Sequence, residues 1–151
     1  MIRRWKSLAR DTRAAAVIEL ALIAPILATM VIGATEISAG YSARLQLEQA
    51  AQRIVEKWQG NNFDTTKIDD YKAEAATAAG VASSAVTIDY WVECSGTRQG
   101  SFTATCASLA VTSRYANIDI QKNYTPMFST RFLGNTTGTY VLHGKAGVRF
   151  Q

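Results

Sequence analysis

The sequence predicts an α+β protein: a long N-terminal helix, a second short helix, and a small antiparallel β-sheet head. Two observations predict this order. An apolar run at residues 14–34 passes directly into helical periodicity that lasts to Trp58, and beyond residue 84 the apolar period changes to two. Helices that precede strands along the chain are typical of α+β domains, in which the sheet packs on the helices.

The apolar run is long enough to cross a bilayer, whose hydrocarbon core takes about 20 residues of helix. It contains one carboxylate, Glu19, and a charge at the centre of such a segment costs about 2.5–3.5 kcal/mol on insertion scales. Because the chain keeps this costly residue, we expect Glu19 to have a function. Pro25 predicts a kink, since proline cannot donate a hydrogen bond to the carbonyl of residue 21.

Charge is distributed unevenly between the segment before the apolar run and the rest of the chain. Residues 1–13 hold five of the 16 basic and one of the 12 acidic side chains, so the whole net charge of +4 lies there. This positive-inside pattern predicts a cytoplasmic N-terminus, with everything after Ala34 outside. A neutral outer part has no electrostatic footprint for nucleic acid. A cleaved signal peptide is the alternative, although its apolar core is usually only about 7–15 residues long.

The helix elements have recognisable ends. Apolar residues spaced by three and four predict that the first helix continues to Trp58, where Gly60-Asn61-Asn62 is a strong stop. A second helix is predicted over 67–79, beginning at a weak capping box of Thr66 and Asp69 and ending at Gly80. The expected organisation is therefore a basic stub at 1–13, a long helix at 14–59 with its transmembrane segment at about 14–35, and an exported head at 60–151.

Alternation of apolar and polar residues predicts strands at 86–93, 116–121 and 139–150. Residues 95–101 are predicted as a polar loop and 134–138 as a turn, while 107–113 is ambiguous. Pro126 predicts that the segment 124–128 leaves the sheet, because proline cannot donate to a strand ladder.

The titratable and sulfur-containing side chains predict no enzyme, metal site or cofactor. Cys94 and Cys106 with the single His143 make no zinc site, and phosphate loops, HExxH pairs and GxSxG turns are all missing from the sequence. In the oxidising compartment assigned to the head the two cysteines are expected to pair, which would stabilise the fold by about 3 kcal/mol. Two buried free thiols are the alternative.

The N-terminal segment resembles the TadE/TadG-like pseudopilin family, the minor pilins of Tad (Flp, type IVc) pilus systems. The shared features are a basic stub, small residues, the early Glu19, an Ala-Leu-x-x-Pro step ending at Pro25, and a second glutamate, Glu36. The segment Tyr124-Thr125-Pro126-Met127-Phe128 is similar to a late Tyr-x-Pro-Leu/Met-Phe step of the same family.

The resemblance implies a minor pilin of the bacterial inner membrane, with its C-terminal domain in the periplasm or outside the cell. It implies other pilin subunits, a prepilin peptidase, the inner-membrane assembly platform and lipid as partners. Cleavage between Ala14 and Ala15 would place Glu19 fifth in the mature chain, although the family usually has glycine where this chain has Ala14. Glu19 and Pro25 would then set subunit register in assembly. A single-pass membrane protein with a periplasmic binding domain, outside any filament, is the alternative.

Overall fold

The computed structural model describes residues 12–127 and 138–150. Residues 1–11 of the predicted basic stub, Phe128 of the late motif and most of the turn predicted at 134–138 lie outside the described residues. The chain divides into two compact units, Met1–Ala39 and Gly40–Gln151. The element order is helix, helix, strands, and the predicted α+β class is confirmed.

Helix α1 spans Thr12–Gly60 and therefore starts and ends within two residues of the predicted limits. The helix assignment continues through Pro25. In the first unit the large apolar side chains of α1 are exposed, as they are on a helix whose surroundings are lipid or other helices.

The second half of α1 lies in the other unit and forms the centre of its core. Leu47, Ala51, Ile54 and Trp58 are almost wholly buried, and they are the residues whose spacing of four, three and four predicted a buried stripe. Ala50 and Val55 of α1 and Phe63 of the turn after it also belong to this core. Its other residues come from the second helix and the sheet: Tyr71, Ala75, Ala76, Ala79, Val86, Ile88, Ala116, Ile118 and Ile120. The head is thus folded around the last turns of α1.

An aromatic cluster closes the end of α1. After Gly60 the backbone turns sharply, and Asn62 and Phe63 adopt positive φ angles of 52° and 54°. A phenylalanine rarely adopts this conformation, but here its ring is buried, stacks on Phe150 with centroids 3.4 Å apart and meets Trp58 edge-on at 5.6 Å. The Trp58 indole N–H donates to the Asp64 carbonyl at 3.1 Å. Aromatic packing therefore holds a strained turn in place.

Helix α2 spans Ile68–Ala79 and follows a 3-10 turn at Thr65–Lys67. The predicted capping box is wrong, because Lys67 is the N-cap of α2 and makes no side-chain capping bond. Asp64 caps the preceding turn instead, accepting from the Thr66 backbone N–H at 2.9 Å and hydroxyl at 2.7 Å. These two bonds lower the pKa of Asp64. The predicted stop is correct: Gly80 ends α2 in the left-handed conformation.

The sheet has the order β2-β1-β3-β4, and every pair is antiparallel. A 3-10 turn at Ser83–Ala85 leads into the first strand. The strands are β1 (Val86–Cys94), β2 (Thr97–Arg98), β3 (Thr112–Tyr124) and β4 (Tyr140–Phe150). The ambiguous segment therefore becomes the approach to β3. The short β2 lies within the predicted polar loop and was not predicted.

β4 lies directly against α1 at Gly144. A Cβ atom built on Gly144 would overlap the backbone and side chain of Leu47 and lie 2.6 Å from the Glu48 backbone nitrogen. Only a residue without a side chain allows the strand to approach the helix this closely. Gly144 thus fixes where the edge of the sheet meets the helix.

Candidate functional site

The candidate site is the exposed apolar surface of α1 in the first unit. Its members share exposure of at least half of their surface: Val17, Ile18, Leu20, Leu22, Ile23, Ile26, Leu27, Met30 and Val31. Among the described residues, α1 is the one helix long and apolar enough to cross a membrane, by length and composition. A soluble chain rarely exposes so continuous an apolar surface.

Glu19 lies on this surface, and within the described residues no hydrogen bond or ion pair reaches its carboxylate. Three hydroxyl groups further along the helix behave differently. Thr29, Thr35 and Ser38 each donate to a carbonyl of the preceding turn, at 2.8, 2.7 and 2.8 Å. These groups can enter lipid with their hydrogen bonds made. Glu19 has no such bond to its own helix.

The predicted cleavage position lies in the first turns of α1. Ala14 and Ala15 are helical, and Ala15 is exposed. Residues four apart lie on the same face of a helix, one turn above each other, so Ala15 and Glu19 share a face. Pro25 lies further along the same helix, where it leaves the carbonyl of Ala21 without its usual donor.

One family model matches part of the chain, in the first helix. Residues 14–55 match the model of a family described as TadE-like protein. Over these residues the chain is similar to that family, and the predicted resemblance is confirmed for this segment. Neither the curated proteins nor the solved structures contain a match to this chain.

The TadE-like segment, residues 14–55, has two different environments along its length. From Ala15 to Val31 its large side chains are exposed, whereas Leu47, Ala51 and Ile54 are buried in the head. The family pattern therefore covers both the surface that can meet lipid and the surface on which the head folds.

In the head, a disulfide joins Cys94, the last residue of β1, to Cys106 in the approach to β3. The loop it closes contains a tight hairpin into β2, whose turn residues Ser95 and Gly96 have positive φ angles of 50° and 84°. Two such residues form the type I′ turn that favours two-residue hairpins. The Ser95-Gly96 pair was the sequence signal for this hairpin, but the prediction of a polar loop at residues 95–101 overlooked it.

On the outer face of the sheet, Asp119 of β3 lies close to two side chains of β4. The His143 Nδ1 lies 3.0 Å from the Asp119 Oδ1, and the Lys145 Nζ lies 3.5 Å from the other carboxylate oxygen. The search of the described residues found no group of histidine, cysteine, aspartate or glutamate that could hold a metal ion. His143 therefore has a partner on the neighbouring strand, as paired side chains across a sheet commonly do.

The late motif begins where β3 ends. Tyr124 is the last residue of β3, and Pro126 and Met127 follow outside the strand, as predicted. The Tyr124 ring packs beside Gly40, its Cε1 lying 3.7 Å from the position that a Cβ of Gly40 would occupy. The motif thus brings the end of the sheet to the beginning of the second unit.

Proposed function

We propose that the protein is a minor pilin, a non-catalytic structural subunit anchored in the membrane that primes or supports assembly of a Tad (Flp, type IVc) adhesion pilus. One observation carries the proposal. The TadE-like match falls on a helix that offers an exposed apolar surface with an unpaired carboxylate at one end and supplies the core of a folded head at the other. A subunit that is held in lipid and later transferred to a helical bundle needs both.

Glu19 is proposed to set the register between subunits. Cleavage by a prepilin peptidase between Ala14 and Ala15 would create a positively charged amine among apolar side chains. A charge in such surroundings is costly unless it is paired. The unpaired Glu19 of a neighbouring subunit would supply that partner, and the small residues of this end would let the helices approach closely. Pro25 would allow the local bending that the packing requires.

The proposed topology places the basic stub in the cytoplasm and the head in the periplasm or outside the cell. The positive charge before α1 supports this orientation. The Cys94–Cys106 disulfide supports it independently, since disulfides persist in oxidising compartments. The proposed partners are other pilin subunits, the prepilin peptidase and the inner-membrane assembly platform.

Glu19→Ala tests the assembly role, with Thr29→Ala as the matched control within the same helix. We expect both variants to insert and to fold their heads, because both side chains are exposed. Only the Glu19 variant should be absent from pili sheared from the cell surface. Wild-type amounts of the Glu19 variant in sheared pili would contradict the register role.

The alternative is an uncut single-pass membrane protein with a periplasmic binding domain. Ala14, which stands where the family usually has glycine, favours this alternative. N-terminal sequencing of the mature protein separates it from the proposal. A mature chain that starts at Ala15 supports processing. A chain that starts at Met1 and stays in the membrane fraction after shearing supports the alternative. Replacing Ala14 with glycine should increase the processed fraction if the peptidase acts here.

A further inference from the structure

An open cavity lies at the disulfide end of the head, wholly within the second unit. Its volume is about 470 Å³, within the range of about 300–1,000 Å³ that small-molecule sites occupy. We call it the Arg114 cavity. The residues that line it come from the segment before β3 and from the start of β3 itself: Ala104, Thr105, Cys106, Val111, Thr112 and Arg114.

The sheet register places Arg114 on the core-facing side of β3. Arg114 pairs with Val92 of β1 and with Phe150 of β4, and directly opposite residues of an antiparallel sheet point to the same face. Val92 is wholly buried and Phe150 packs against the core. Arg114 therefore continues the row that holds Ala116 and Ile118. An arginine is unusual in such a row, because arginine is seldom buried unless it is paired.

Arg114 is partly buried, yet within the described residues no hydrogen bond or ion pair reaches its guanidinium. The arginines on the outer face of the sheet differ. Arg98 pairs with the Asp89 carboxylate at 3.0 Å, and Arg149 donates to the Ser113 hydroxyl at 2.6 Å. Removing a guanidinium from water costs free energy that a partner must offset. Arg114 thus offers its N–H donors and a full positive charge to a molecule in the cavity.

The rest of the cavity supplies two hydroxyl groups and an apolar wall. Neither the Thr105 nor the Thr112 hydroxyl makes a hydrogen bond in the part of the chain that the structure describes. Cys94 lies opposite Thr112 in the register, and its disulfide to Cys106 ties the wall segment to the end of β1. Because this tie limits the movement of the wall, less ordering is needed when a ligand binds.

We propose that the Arg114 cavity binds a small organic carboxylate of about the size of benzoate. The planar guanidinium fork of arginine matches a carboxylate with two parallel hydrogen bonds, and threonine hydroxyls can donate to the same oxygens. Among the described residues, one cation and no carboxylate line the cavity, which favours a singly charged ligand over a phosphate dianion. The site belongs to the head alone and is independent of the proposed role in pilus assembly.

The test measures binding of para-fluorobenzoate to the full-length protein in detergent, by the broadening of the ligand signal in fluorine NMR. Protein-free micelles give the background, and para-fluorobenzamide shows how much binding the uncharged ring provides. Arg114→Gln removes the guanidinium. Arg53→Gln is the matched control, since Arg53 of α1 also makes no bond within the described residues but is exposed and lies outside the Arg114 cavity.

We expect the parent and Arg53→Gln to bind para-fluorobenzoate with the same dissociation constant. Arg114→Gln should bind it at least about tenfold more weakly, because hydrogen bonds between charged groups are the strongest contacts in the site. Equal dissociation constants for the parent and Arg114→Gln would overturn the proposal. Equal binding of para-fluorobenzoate and para-fluorobenzamide by the parent would overturn it too, and so would the absence of binding by the parent.

The parent protein also tests the choice of ligand without any substitution. Acetate should displace para-fluorobenzoate at a lower concentration than inorganic phosphate does, and the reverse order would overturn the carboxylate assignment. Far-UV circular dichroism checks that Arg114→Gln keeps its fold. Arg114→Lys keeps the charge without the planar fork and should recover only part of the affinity. Full recovery by lysine would overturn the paired contact of the guanidinium with the carboxylate.

Discussion

Replacing Gly144 with alanine should destabilise the head more than any comparable glycine change. The new methyl group would overlap Leu47 and lie 2.6 Å from the Glu48 backbone nitrogen. Overpacking a well-packed core costs about 1–3 kcal/mol. The obstacle here is the backbone of α1, which cannot rotate away as a side chain can, so we expect a value at the upper end. With a urea m-value of about 1–3 kcal/mol/M, the midpoint should fall by about 1 M or more.

The assay is urea unfolding of the full-length protein in detergent, followed by the fluorescence of the buried Trp58. Gly100→Ala is the matched control, because nothing lies within 4 Å of a Cβ at that position. Its stability should stay within about 0.5 kcal/mol of the parent. Equal midpoints for the two variants would refute the close approach of β4 to α1, since a strand free to shift would accept the methyl group.

Three further perturbations test the head. Replacing both Cys94 and Cys106 with serine should lower the free energy of unfolding by about 3 kcal/mol, and an unchanged urea midpoint would contradict this. Trp58→Phe removes the indole bond to the Asp64 carbonyl and part of a buried ring, so a loss of about 1–3 kcal/mol is expected. Because this variant lacks the reporting indole, its urea unfolding and that of the parent are followed by far-UV circular dichroism. Asp64→Asn tests a pH dependence. Because Thr66 lowers the folded-state pKa of Asp64 below 3.8, its contribution is full above that value and is lost as the pH falls through the folded pKa. Unfolding curves of parent and variant should therefore converge only in acid, and a constant difference down to about pH 2 would refute the capping role.

The sequence predicted the helices and strands in which apolar residues recur at a regular spacing because one face of the element is buried. α1, α2, β1, β3 and β4 all follow such patterns. Ile54 and Ile118, which were predicted to lie inward, are buried, whereas Ile37 and Tyr41 of the same helical pattern in α1 are 75% and 64% exposed. Glu19 and Pro25 were also readable, because a charge or a proline is conspicuous within an apolar run. The partner proposed for Glu19 on a neighbouring subunit could not be predicted, since such a contact would leave no periodic pattern in this sequence.

Other features depend on contacts between residues far apart in the sequence. The positive φ of Phe63 is tolerated because its ring stacks on Phe150, and no local pattern around residue 63 predicts that partner. The predicted capping box of Thr66 and Asp69 failed for a related reason: Thr66 instead donates its backbone N–H and its hydroxyl to the Asp64 carboxylate. Local sequence identifies residues that could cap a helix. Which of them caps depends on tertiary contacts, such as the hydrogen bond from the Trp58 indole to the Asp64 backbone carbonyl.

The two environments of α1 impose different constraints on one helix. Between Leu47 and Trp58 every fourth or third residue is enclosed by the head, so substitutions there act first on folding. Before Ala34 the side chains are exposed, so substitutions there act on lipid or neighbouring helices. The family match ends at residue 55, before the strands begin. The sequence features shared with the family therefore belong to the helix and not to the sheet. A subunit built this way can keep the same long helix while its head diversifies, provided that each head preserves a groove for the same buried stripe.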